Sequence, residues 1–278
     1  MRARILLARS CWKTSTDLHR LLTFSIIQYP IYLEVNINNM KDNFLAGVTG
    51  NYSVPLWLRV VSVSLFAASV MLSTYFGATG SQLDVTLSRD LLVRPPSWMF
   101  GIIWPVIYLV YAAALIYIAI TDKWPSIAYW ATIGISILNA LWIWLFSLGT
   151  NGALLGCLFT IIALVSALYT LWTMLYDSLN DSFVYYFGRN AVSLYMGWVL
   201  VATLLNLGIV LVHTFGLSQK SFTIIFWIAV PLLFLLVTWI AYSRENRNGL
   251  KSLIGFWLGG IWGMSGALVS TMSNKFLL

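Results

Sequence analysis

The amino-acid sequence predicts an all-α membrane protein: a polytopic bundle of about seven transmembrane helices with no sizeable soluble domain. Two observations carry that expectation. Of the 278 residues, 60% are hydrophobic and only 9% are charged, whereas a soluble domain needs roughly 25% charged residues to cover its surface. The apolar residues are also gathered into runs of about 20 that are almost free of charge, the length that crosses the hydrocarbon core of a bilayer. The lipid bilayer is therefore the first partner the chain needs.

Seven runs follow one another at 57–77, 97–120, 126–149, 153–175, 191–214, 222–242 and 252–272. Pro105 and Pro231 fall inside two of them, which a membrane helix tolerates because its neighbours re-satisfy the freed carbonyls. The Pro95-Pro96 pair opens the second run, where a missing N–H costs nothing, and Gly149-Thr-Asn-Gly152 makes a turn between the third and fourth. Residues 1–55 differ in character. Within the first twenty residues Arg2, Arg4, Arg9, Lys13 and Arg20 meet only Asp17, a composition that reads either as a mitochondrial targeting segment or as a disordered tail ahead of a true start at Met40. The stretch from Leu21 to Leu33 is too short to span and is broken by Pro30, so at most it is an interfacial helix. The expected divisions are a basic extension (1–55), a five-helix core (56–216) and a further two-helix segment (217–278).

The formal net charge is +7, yet a nucleic-acid partner is excluded. The basic residues stand in ones and twos at the ends of apolar runs, whereas a nucleic-acid site clusters them on one face. They read as topology signals. With seven spans, twelve of the sixteen Lys and Arg fall on the side of the N-terminus and four on the other, which predicts the N-terminus inside, in the cytosol or the mitochondrial matrix. Cys11 and Cys157 support neither a disulfide framework nor a metal site.

The segment Arg94 to Tyr108 is the most informative. Trp98, Phe100, Trp104 and Tyr108 stand in one helix, and the four-residue steps from 100 to 108 put their rings on one face. Such a ladder is either a flat apolar wall for a ligand or ordinary packing. In the third run, Leu138-Asn139-Ala140-Leu141-Trp142 is followed by Phe146; in the fifth, Tyr195, Trp198, Ala202, Thr203 and Asn206 repeat an aromatic and amide pattern. An amide in mid-membrane needs a hydrogen-bond partner, so Asn139 and Asn206 should face the bundle, as ligand contacts or as glue between helices.

These three segments, taken in order, resemble the TspO/MBR family, the translocator or tryptophan-rich sensory proteins. Pro95, Pro96, Trp98, Phe100, Trp104 and Tyr108 match its second helix, Asn139 and Trp142 its third, and Tyr195, Trp198, Ala202 and Asn206 its fifth. The resemblance covers about 57–214. Because two runs follow, the chain resembles a long, seven-helix branch of that family. The resemblance implies an intramembrane aromatic pocket for porphyrins and other flat apolar molecules, with Trp104 and Trp198 as its two tryptophans and Asn139 and Ala202 lining it. Porphyrin or haem enters only as such a ligand. The family's sterol-recognition sequence is not matched in Leu207 to Val212, so cholesterol binding is not expected.

Three weaker features complete the set. His213 is either a haem ligand or a solvated interfacial side chain. Gly255, Gly259 and Gly263 form a small-residue row that lets another helix approach closely, within the chain or in a homodimer. Asp84, Arg89, Asp90 and Arg94 read as a solvated lid with local ion pairs. Three functions remain open: a receptor or transporter for a flat hydrophobic ligand, a porphyrin-degrading enzyme, and an assembly subunit of a membrane complex. No conventional catalytic set is legible in the runs. Retinal proteins need a mid-helix lysine in the seventh span, and Lys251 and Lys275 lie at or beyond its ends.

Overall fold

A computed structural model describes residues 54–78, 89–121, 124–178 and 183–275, all within one compact unit, Ser53–Leu278. The readings made of residues 1–53, and of Asp84, lie outside the described residues. Within them the chain is all-helical, with seven α-helices. In order these are α1 (Leu56–Ala78), α2 (Ser97–Thr121), α3 (Ser126–Leu148), α4 (Asn151–Met174), α5 (Arg189–His213), α6 (Gln219–Lys251) and α7 (Ile254–Lys275). The first six are long and apolar enough to cross a membrane, and the protein is an integral membrane helix bundle. The seventh has the length but is diluted by five glycines and three serines.

Local chemistry explains the boundaries. Gly149 closes α3 in the left-handed conformation (φ 64°) and Thr150 caps α4 by accepting from the Ala153 N–H at 3.3 Å, so the Gly-Thr-Asn-Gly turn works through both a positive φ and a cap. Ser218 caps α6 in the same way, from the Ser221 N–H at 3.0 Å. Arg59, in the first turn of α1, donates to the Ala119 carbonyl at 3.0 Å, where a cation suits the C-terminal end of α2. The largest boundary difference is α6, expected to end at 242. It continues through the charged stretch to Lys251, with a break at Asn246 (φ 52°).

Consecutive helices alternate in direction. Tyr129 donates to the Ile118 carbonyl and Asn139 reaches Tyr108, so α3 runs back along α2. Cys157 and Trp172 of α4 meet Asn206 and Arg189 of α5. Helix α7 then runs parallel to α5, with Gly255 against Asn190, Gly259 against Leu194 and Gly263 against Val201. A Cβ built on Gly259 would lie 2.6 Å from the Leu194 carbonyl oxygen, so the glycine row is the seat of an intramolecular contact.

The most concentrated polar chemistry sits where α4, α5 and α6 meet. Arg189 is fully buried and forms a two-pronged ion pair with Glu245, Nη1 to Oε2 at 2.5 Å and Nη2 to Oε1 at 2.8 Å. Its guanidinium lies 3.9 Å from the Trp172 ring centre, and Tyr185 donates to the same carboxylate at 3.1 Å. The π-helical turn Val184–Gly188 precedes it. Arg189 therefore serves the interior and is not a free topology signal. Nearby, Asn190 and Ser193 accept from the Gly255 and Phe256 N–H groups at 2.9 and 3.1 Å, capping α7 with side chains of α5.

Candidate ligand pocket

A cavity of about 940 Å³ lies between α1 and α2, with α3 and α5 behind it. Its aromatic wall is Phe100, Trp104, Tyr108, Trp142 and Phe146; α1 contributes Val63, Phe66, Ala67 and Val70, and α5 contributes Ala202, Leu205 and Asn206. The wall is a connected aromatic assembly. Trp104 stacks on Tyr108 at 5.3 Å and packs against Trp142 at 5.6 Å. Met71 and Leu109 line the cavity yet are 66% and 70% exposed, so it opens sideways between α1 and α2 towards lipid. Helix α1 packs far more closely on α3 than on α2, which leaves that side open.

A polar relay runs behind the aromatic face. Ser73 and Tyr108, both lining residues, share a hydrogen bond of 2.9 Å. Asn139 then donates to the Tyr108 hydroxyl at 3.5 Å and accepts from Tyr195 at 2.7 Å. A second knot is built on Asn206, whose carbonyl oxygen accepts from Cys157 at 3.0 Å and from Trp142 Nε1 at 3.5 Å, while its amide donates to the Ala202 carbonyl at 2.8 Å. Both amides face the bundle, as burial in a membrane demands.

The mouth is formed by the stretch from Arg89 to Pro95. Arg94 pairs with Asp90 at 2.8 Å. The Asp90 carbonyl accepts from Gln219 Nε2 at 2.8 Å and lies 2.9 Å from His213 Nε2, and the Leu92 N–H donates to Gln219 Oε1 at 3.2 Å. His213 thus anchors the mouth through a ring nitrogen.

A family model described as TSPO-like protein matches residues 56–277. The chain belongs to that family. The match takes in α6 and α7, so both lie within the family's own unit. Neither the curated proteins nor the solved structures yield a match to the chain.

In this TSPO-like protein the residues singled out in the sequence divide into three groups. Phe100, Trp104, Tyr108, Trp142, Ala202 and Asn206 line the cavity. Asn139, Tyr195 and Trp198 sit one layer behind it, fully or almost fully buried. Trp98 points away, 59% exposed and edge-on to Trp262 at 6.1 Å. The resemblance implied Trp104 and Trp198 as the two tryptophans of one pocket, and of these Trp104 lines the cavity. Their rings touch edge to face at 6.0 Å, and Phe100 covers Trp198 at 5.3 Å, so the hollow lies on the α1 side of Trp104. The sequence reading passed over the α1 wall. Val63, Ala67, Val70 and Thr74 recur at helical spacing, but medium and small aliphatic residues have no chemical signature separating a pocket wall from a packed face.

Proposed function

We propose that this TSPO-like protein is a membrane receptor or carrier for a flat hydrophobic ligand of the porphyrin kind, held in the pocket between α1 and α2. The observation that carries the reading is the size and lining of the cavity. About 940 Å³ with five aromatic rings on one wall is within the range of small-molecule sites and offers the broad faces that planar molecules stack on. The sideways opening suits a ligand that partitions into lipid. The orientation with the N-terminus inside and a mitochondrial location belong to the same proposal; Arg244, Arg247 and Lys251, at the end of α6, support the orientation.

The test is quenching of tryptophan emission by protoporphyrin, haem and sterols in the purified full chain. Saturable quenching by the tetrapyrroles is expected. Trp104→Phe should weaken binding about tenfold, because a lining ring loses stacking area, whereas Trp198→Phe, one layer back, should change it far less. Equal effects of the two substitutions would move the site away from this cavity. Under illumination the same variants test porphyrin breakdown; unchanged loss of porphyrin in both removes any enzymatic role for these indoles.

A further inference from the structure

Among the described residues the mouth of the cavity carries two arginines, Arg89 and Arg94, and one aspartate, Asp90. Arg89 and Arg94 both line it. Arg94 is held by Asp90 at 2.8 Å, which occupies the carboxylate closest in sequence. Arg89 is half-buried and has no ion-pair partner among the described residues. The backbone beside it is fixed, with Asp90 tied to His213 and Gln219 and Leu91 and Val93 buried beneath. A guanidinium on a pinned loop, at the rim of a mainly apolar chamber, is a preorganised receiver for an anion.

The shape below it is long. Lining residues of α2 run from Ser97 to Ile116, roughly 28 Å of helix, and the groove is open to lipid at Met71, Leu109 and Ile116. We propose that the ligand of this pocket is an amphiphilic anion whose carboxylate or phosphate rests on Arg89 and whose apolar body runs down the α1–α2 groove past Trp104. This rests on the ligand-binding reading above and adds the charge and polarity of the molecule. Uptake through the sideways opening leaves the acid group at headgroup level throughout, so the charge never enters the hydrocarbon.

The experiment uses the full chain in phosphatidylcholine nanodiscs, titrated with cis-parinaric acid and with its methyl ester, with energy transfer from tryptophan as the readout. Arg89→Gln should weaken the acid about tenfold, the loss of one charge-assisted contact, and leave the ester unchanged; Arg89→Lys should retain most of the acid's affinity. An Arg89→Gln variant that binds the acid as wild type does, or that loses acid and ester alike, overturns the proposal. Wild type that takes up neither probe, while protoporphyrin, itself a dicarboxylate, quenches Arg89→Gln as strongly as wild type, also overturns it and leaves the pocket reading standing. Failure of protoporphyrin as well overturns both. Adding phosphatidylglycerol to the nanodiscs separates the sources of the anion. Competition with the acid in wild type but not in Arg89→Gln assigns the bilayer's own lipids, and absence of competition assigns a free amphiphile.

Discussion

Asn139 illustrates what a single side chain does in this bundle. Its amide is 1% exposed and joins Tyr195 on α5 to Tyr108 on α2, and through Tyr108 it reaches Ser73 on α1. Where lipid offers no hydrogen-bond partner, these buried polar groups satisfy one another. Asn139→Ala leaves the fully buried Tyr195 hydroxyl without its acceptor and should cost about 1–3 kcal/mol, read as a lowered midpoint of thermal unfolding in detergent. The need for an interior partner was legible from an amide in mid-run, because lipid offers none. The identity of that partner was not, since any hydroxyl on a facing helix meets the need. Trp198 was named through the family resemblance as a pocket tryptophan, but its depth depended on Phe100 crossing in front of it, which spacing along one helix does not reveal. Arg89 is the opposite case: a lid charge in the sequence, it is placed at the cavity rim only by the fold.

Between elements, the clearest device is the glycine row of α7. Gly255, Gly259 and Gly263 recur every four residues and meet α5 backbone or Val201 along one face, while Gly197 of α5 meets the Phe256 backbone from the other side. Two helices that approach this closely gain packing contacts that lipid tails cannot match in fit. Gly259→Leu puts a branched side chain where a Cβ already stands 2.6 Å from the Leu194 carbonyl oxygen. Helix α7 must move away, with an expected loss of about 1–3 kcal/mol or more and release of the Phe234–Phe256 stack, now at 4.2 Å. Loss of thermal stability together with exposure of α7 to a thiol reagent, at a cysteine placed on its α5-facing side, checks both. The row itself was legible as a close-packing surface. Its partner was not, because small residues specify proximity without specifying which helix supplies the opposite face. The end of α6 differs from the apolar run for another reason: hydropathy stops at the first charges, whereas the helix goes on to the break at Asn246, with Glu245 paired to Arg189 inside the fold.

Across the whole molecule, α6 and α7 are fastened to the other five helices at both ends. At one end Gln219 holds the pocket mouth and Trp262 donates to the Met99 carbonyl at 3.2 Å. At the other, Arg189 and Glu245 pair, and Trp172 donates to the Ser252 carbonyl at 3.2 Å. The buried pair is the fastening with the largest energetic asymmetry. Removing one member leaves a charge in an environment that cannot solvate it, whereas removing both relieves desolvation as well as attraction. Glu245→Met alone, and Arg189→Met alone, should each destabilise the protein by about 3–5 kcal/mol, and the double substitution Arg189→Met with Glu245→Met should recover part of that loss. The stacked Trp172 sharpens the expectation, since it accommodates a flat cation and also packs well against a methionine side chain. Unfolding midpoints of the four proteins close the cycle. Losses that simply add would mean that the two side chains act separately and that α6 is held to the core by its apolar contacts alone; recovery in the double variant would make the ion pair a specific joint between the extension and the bundle that holds the pocket.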